Sequence, residues 1–195
     1  MKIGILGGTF DPPHMGHILL AQNAKEKCEL DKIVLLPSAN PPHKNADSPG
    51  EHRLNMTRLV ARAYSFDMCD IEYKKESPSY TFETINELKD IFSGDKLFFI
   101  IGSDSMLDFE KWYRWRELLK KCAFIVGVRN EKERIAVEEC AAEKRENYGA
   151  EIYVLDSPAH KVSSSDIRMG ENVGEIPPCV RNYIKEHSLY EGVII

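Results

Sequence analysis

The sequence predicts an α/β protein in which a parallel β-sheet is crossed by helices. Two observations carry this. Short apolar runs alternate along the chain with longer amphipathic stretches, the order expected when each strand is followed by a crossover helix. The composition, 43% apolar and 29% charged over 195 residues, is that of a globular chain long enough to bury a core within one generous domain.

In chain order, the apolar runs Lys2 to Leu6, Lys32 to Leu36, Asp67 to Ile71, Lys96 to Ile101, Cys122 to Val128 and Glu151 to Leu155 read as strands. The stretches between them read as helices near Gly16 to Cys28, Glu51 to Ala63, Tyr80 to Phe92, Arg116 to Lys121 and Glu131 to Tyr148. The first helix shows the logic. Met15, Ile18, Leu19, Gln22 and the pair Ala24/Cys28 leave one mostly apolar face to cover the sheet, while Lys25, Glu26, Lys27 and Glu29 are solvated. After Asp156 the pattern changes to short polar segments and a final helix near Pro178 to His187. Residues 1–156 thus form the core of one 195-residue unit, and 157–195 a small helical C-terminal lobe laid against the sheet. The Pro/Gly-rich stretch Pro37 to Gly50 reads as one long loop, and loops of that length inside compact domains are usually functional.

Charge and composition exclude several classes. A net charge of −5 opposes nonspecific nucleic-acid binding, which needs a basic surface to release counterions; a local cluster of His, Lys and Arg still suits a small anionic substrate. No apolar run approaches the roughly 20 residues of a membrane span, and the N-terminal run is too short for a signal-peptide core. The five cysteines, Cys28, Cys69, Cys122, Cys140 and Cys179, are odd in number and never in a Cys-x-x-Cys pair. They suit reduced thiols of a cytoplasmic protein, without a disulfide framework or zinc site. A homo-oligomer is left open.

Three segments carry chemistry. Gly7-Gly8-Thr9-Phe10-Asp11-Pro12-Pro13-His14-Met15-Gly16-His17 follows the first strand. Two glycines there let backbone approach phosphate, and the helix that follows offers free N–H groups and a positive dipole end; a glycine pair alone is equally compatible with a tight turn. His14 and His17, three apart at a helix start, are expected to project from one face toward that phosphate. No Cys, Asp or Glu lies at ligand spacing to make them a metal site. Far down the chain, Val162-Ser163-Ser164-Ser165-Asp166-Ile167-Arg168 contains a capping box, Ser163 with Asp166, at a helix start. Ser164 and Ser165 add hydroxyls, and Arg168, one turn on, reaches the same anion; a solvent-facing capped turn is the alternative. Third, Gly102-Ser103-Asp104 ends a strongly apolar strand, placing a carboxylate for sugar hydroxyls or, equally, a helix N-cap by Ser103 or Asp104.

These segments resemble the HxGH nucleotidylyltransferase superfamily. The resemblance implies a Rossmann-like, doubly wound sheet with a nucleoside triphosphate above the end of the first strand. It implies that Gly7, Gly8, Thr9, Phe10, His14 and His17 contact ATP from one side, Ser164, Ser165 and Arg168 from the other, and Gly102 and Asp104 at the ribose. Val162 and Ser165 stand where the superfamily's Ile-Ser-Ser-Thr-x-Ile-Arg element has Ile and Thr.

Three further segments narrow the substrate: Pro37 to Lys44, Pro78 to Ile85, and Lys111-Trp112-Tyr113-Arg114-Trp115. With Arg53-x-x-Met56, they are similar to the bacterial nicotinate-mononucleotide adenylyltransferases, and the likeness runs from Lys2 to Arg168. It implies transfer of AMP from ATP to nicotinic acid mononucleotide, with Mg²⁺ carried by the ATP phosphates and no protein metal site. His14, His17, Lys44 and Arg168 would stabilise the triphosphate and acceptor phosphate. Trp112 would stack on the nicotinate ring, with backbone N–H groups near Thr81 and Tyr113 on its carboxylate. The alternatives are a superfamily relative, pantetheine-phosphate adenylyltransferase or a glycerophosphate cytidylyltransferase, or a regulator that binds nucleotide without turnover. The first generally has Thr in place of His14.

Overall fold

The structure is a computed structural model that describes residues 1–41, 46–75, 78–157, 162–190 and 192–193. Among the described residues, six strands form one sheet: β1 (Lys2–Gly8), β2 (Lys32–Pro37), β3 (Asp67–Met68), β4 (Lys96–Gly102), β5 (Ala123–Val128) and β6 (Ile152–Asp156). Their order is β3-β2-β1-β4-β5-β6, and every pairing is parallel. The chain winds outward from β1 to one edge, then returns to β4 on the other side of β1. The crevice at the carboxyl ends of β1 and β4 is therefore the switch point at which such sheets bind ligands.

Helices α1 (Met15–Lys27), α2 (Gly50–Ala63), α3 (Thr81–Ile91), α4 (Ser103–Leu107), α5 (Trp115–Leu118), α6 (Glu131–Tyr148), α7 (Ser164–Arg168) and α8 (Pro178–Glu186) fill the crossovers and the C-terminal region. Strand alternation divides the core into two layers. Ile3, Ile5, Val34, Phe99, Ile101, Phe124 and Val126 face α3 and α6. Leu6, Ile33, Leu35, Phe98, Ile100 and Ile125 face α1 and α2. Val162, Ile167, Val180 and Ile184 join this second layer, so the C-terminal segment packs onto the sheet's own core.

α6 has the limits its sequence predicts because both ends are encoded. The Asn130 side chain accepts from the Glu133 N–H, and Gly149 closes the helix at φ 65°, a left-handed conformation cheap only for glycine.

Two expectations shift. On α1 the buried stripe is Ile18, Ala21 and Ala24; Gln22 is exposed and Leu19 partly so. Two alanines on the inner face let the helix lie close to the sheet, a choice made by where the sheet is. β3 stops at Met68, short of Ile71, and the chain turns into a 3-10 helix over Ile71–Lys74, with the Tyr73 N–H on the Asp70 carbonyl at 2.9 Å. Asp70 favours the turn.

No helix among the described residues is long and apolar enough to cross a membrane. All five cysteines are free thiols.

Candidate active site

A cleft of about 850 Å³ lies over the ends of β1 and β4 and is walled by the segments after β1, β4 and β5, by the start of α3, and by α7. Of the residues expected at the site, Gly7, Gly8, Thr9, Phe10, His14, His17, Thr81, Gly102, Asp104, Trp112, Tyr113, Ser164, Ser165 and Arg168 all line it. Lys44 lies outside the described residues.

The glycines of the first segment answer to packing as well as to any ligand. A Cβ on Gly7 would sit 2.7 Å from the Phe99 ring, and one on Gly8 would sit 3.1 Å from Phe10. The floor of the cleft is thus two aromatic rings pressed against bare backbone. Phe10 is buried, at φ 51°, and its ring edge meets His17 at 4.9 Å. Phe10 therefore shapes the loop through its ring and leaves only its backbone for a ligand.

The two histidines lie together at the start of α1, and both line the cleft. His14 is the residue before α1, with extended backbone, and His17 is the third residue inside it. Their rings stack at 3.7 Å, and the His14 N–H donates to His17 Nδ1 at 3.2 Å. Because Nδ1 accepts, the His17 proton sits on Nε2, which becomes a donor directed away from the backbone. His14 is 5% exposed. Burial pushes it down to about 4, while Asp166 pulls weakly the other way, so near neutral pH it is an uncharged dipole in the free protein. Gly16 leaves room for this ring: a Cβ there would lie 3.0 Å from His14 Nδ1 and 3.0 Å from Val162 Cγ1.

α7 closes the cleft from the opposite side. Ser163 and Asp166 form the predicted capping box, each side chain bonded to the other's backbone N–H at 3.1 Å. Ser164 Oγ donates to the Pro12 carbonyl at 2.9 Å, tying α7 to the loop after β1. Arg168 Nη1 donates to the Asp11 carbonyl at 2.7 Å, and its Nε is ion-paired with Asp47. Two helix starts, α1 and α7, therefore converge on one space with Nε2–H, hydroxyl and guanidinium donors around it, a set suited to a polyanion.

At the end of β4, Gly102 itself is the N-cap of α4, and Ser103 and Asp104 are its first two residues. Ser103 is buried and donates to Glu133 at 2.8 Å. Asp104 stands at the mouth, paired with Arg129 at 3.1 Å. Nothing lies within 4 Å of a Cβ built on Gly102, so a side chain at this position would extend into open space.

The third wall is aromatic. Tyr80 and Tyr113 rings meet at 4.9 Å, which joins the start of α3 to the segment before α5. Thr81 is the first residue of α3, where a backbone N–H has no intrahelical acceptor. The Trp112 indole is backed by Phe109 at 5.1 Å and meets Phe99 edge-on at 6.3 Å, and it is half-buried against the cleft. Trp115 instead is core, packed on Tyr148.

Sequence reasoning missed two groups, Arg129 and Glu72, and gave Arg53 no contacts. Arg129, directly after β5, brings a guanidinium to the mouth; its position at the carboxyl end of a parallel strand was the available signal. Glu72 lines the cleft, nine-tenths buried, accepting from Thr84 Oγ1 at 2.8 Å; it sits in the 3-10 turn just past the run read as a strand, and nothing local marked it. Arg53, 2% exposed, donates to the carbonyls of Thr9, Ser38, Ala39 and Ser48. It ties the loop after β1 to the loop after β2 and spends its donors there rather than on a ligand.

Comparison with known proteins agrees with this geometry. The Cytidylyltransferase-like family model matches residues 5–170. A relative from Shewanella sp. (strain ANA-3), named "Probable nicotinate-nucleotide adenylyltransferase", is 38% identical over 97% of this chain and 99% of its own length. One of the same name from Exiguobacterium sibiricum is 39% identical over 97% and 99%. The fold is also that of Plasmodium falciparum nicotinic acid mononucleotide adenylyltransferase complexed with NaAD, at TM-score 0.75 and 20% identity over 97% of both chains. With the match covering 97% of the chain, the chain belongs to the nicotinate-nucleotide adenylyltransferase family within the cytidylyltransferase-like proteins.

Proposed function

We propose that this protein transfers AMP from ATP to nicotinic acid mononucleotide, releasing pyrophosphate and forming the acid dinucleotide used in NAD biosynthesis. The observation that carries this reading is the division of one cleft into two chemically distinct ends. Donors from α1, α7 and Arg168 surround the end beside the first strand, and the Thr81, Trp112 and Tyr113 segments form an aromatic, donor-bearing end across the sheet.

The acceptor's 5′-phosphate is already mostly a dianion near neutral pH. It attacks the α-phosphorus in line with departing pyrophosphate and needs no base. The protein's work is to position both anions and to stabilise charge developing on the triphosphate. The His17 Nε2–H, the backbone N–H groups of Ser164 and Ser165 at the start of α7, the Ser165 hydroxyl and the Arg168 guanidinium are the proposed donors; Lys44 is proposed as a further phosphate contact. Asp104, at the mouth of the cleft, is the proposed contact to the ribose hydroxyls. The donor set around the phosphate end is cationic or N–H and O–H in kind, which fits an anion rather than a bare cation. Mg²⁺ accordingly enters as part of MgATP, held by phosphate oxygens and water.

The test is pyrophosphate release from MgATP with a panel of acceptors: nicotinic acid mononucleotide, its amide, phosphopantetheine and glycerol 3-phosphate. The acid mononucleotide should be preferred. Preference for phosphopantetheine or glycerol 3-phosphate, or binding without release, would transfer the assignment to one of the alternatives.

A further inference from the structure

The C-terminal tail reaches the phosphate end of the cleft through one hydroxyl. Tyr190 donates to Asp11 Oδ1 at 2.6 Å, across 179 positions of sequence. Asp11 is 1% exposed and is a junction of four segments. Its Oδ2 accepts from the Asp47 N–H at 2.7 Å and the Ser48 N–H at 3.3 Å, and its carbonyl accepts from Arg168 Nη1 at 2.7 Å. Tyr190 has φ 57°, a conformation that costs a non-glycine residue energy and persists only where contacts hold it. Burial, then the Asp11 hydrogen bond, drives its phenol far above the ordinary tyrosine range, so it remains a donor at any working pH.

We propose that Tyr190 is a positioning residue for triphosphate recognition: its hydroxyl orients Asp11, and Asp11 in turn aims the Arg168 guanidinium and anchors the end of the loop after β2. Arg168 cannot be aimed by its own short helix alone, because Nη1 is directed by a carbonyl on a different segment. Without the Tyr190 hydroxyl, Asp11 has a buried oxygen unpaired and turns to recover a partner, and the carbonyl bonded to Arg168 turns with it.

The inference rests on the cleft being the ATP site, and a double-mutant cycle tests it. Tyr190→Phe keeps the ring and removes only the hydroxyl. It should raise KM for MgATP about tenfold, the scale of one hydrogen bond to a charged group, with KM for nicotinic acid mononucleotide within about twofold. In an Arg168→Ala background the same change should alter KM for MgATP less than about twofold, because the group being aimed is gone. Effects that multiply, or a fall in Tm with KM unmoved, overturn the proposal. Amide exchange at Asp47 and Ser48 should quicken in Tyr190→Phe; unchanged exchange also overturns it. Should that variant not fold, the Tyr190 hydroxyl proton of the wild-type protein should shift on saturation with MgATP, and a resonance that does not move refutes the link. If wild-type protein releases no pyrophosphate with the proposed acceptor, the functional reading fails separately, and calorimetric Kd for MgATP replaces KM in the same cycle.

Discussion

His14 makes the folded protein sensitive to mild acid, by an amount its burial fixes. It lies against His17, Gly16 and Val162 with Asp166 nearby, and burial lowers it from 6.5 to about 4. Between those values the unfolded chain binds a proton that the folded protein does not, so stability rises with pH. The contribution is complete above 6.5 and is lost as pH falls toward 4. The full drop corresponds to about 3.4 kcal/mol; at about pH 5, where the unfolded histidine is mostly charged and the folded one mostly neutral, about 2 kcal/mol is lost relative to about pH 7.5. His14→Gln keeps a polar side chain of similar reach without the titration. Urea unfolding of both proteins at the two pH values gives the comparison directly. Wild type should lose about 2 kcal/mol more than the variant on going to about pH 5. Equal losses would show that His14 is protonated in the folded state, and with it the reading of an uncharged His14 would fall.

The remaining expectations concern the cleft. His17→Ala removes the Nε2 donor and should lower kcat by roughly 100-fold or more, the scale of a lost transition-state contact, with little change in KM for the mononucleotide; near-normal steady-state kcat would remove the role. Arg168→Lys keeps charge but cannot hold the Asp11 carbonyl and an anion in one planar fork, so kcat/KM for MgATP should fall at least about tenfold, and parity with wild type refutes a directional contact. Trp112→Ala should cost about tenfold or more in kcat/KM for both the acid and the amide mononucleotide, because the pyridinium ring is cationic in each. The acid preference, about 100-fold if donor-only backbone groups near Thr81 and Tyr113 select it, should survive; a ratio collapsing toward one would make Trp112 the selector.

The parallel sheet, the limits of α6 and the two segments that line the cleft from opposite sides were legible in the sequence because each is written locally. Apolar alternation marks a strand wherever the chain goes next, Asn130 and Gly149 end α6 on their own terms, and Ser163 with Asp166 caps α7 within four residues. What only the tertiary structure decided depends on partners far apart in sequence. Gly7 is glycine because Phe99 lies against it. His14 is uncharged because α7 and α1 bury it. Arg129 and Glu72 meet the cleft through sheet order rather than motif. The tail after Arg168, which reads as packing alone, delivers the Tyr190 hydroxyl to Asp11. A hydrogen bond depends on distance and direction in space, and neither is set by spacing along the chain until the sheet has brought the segments together.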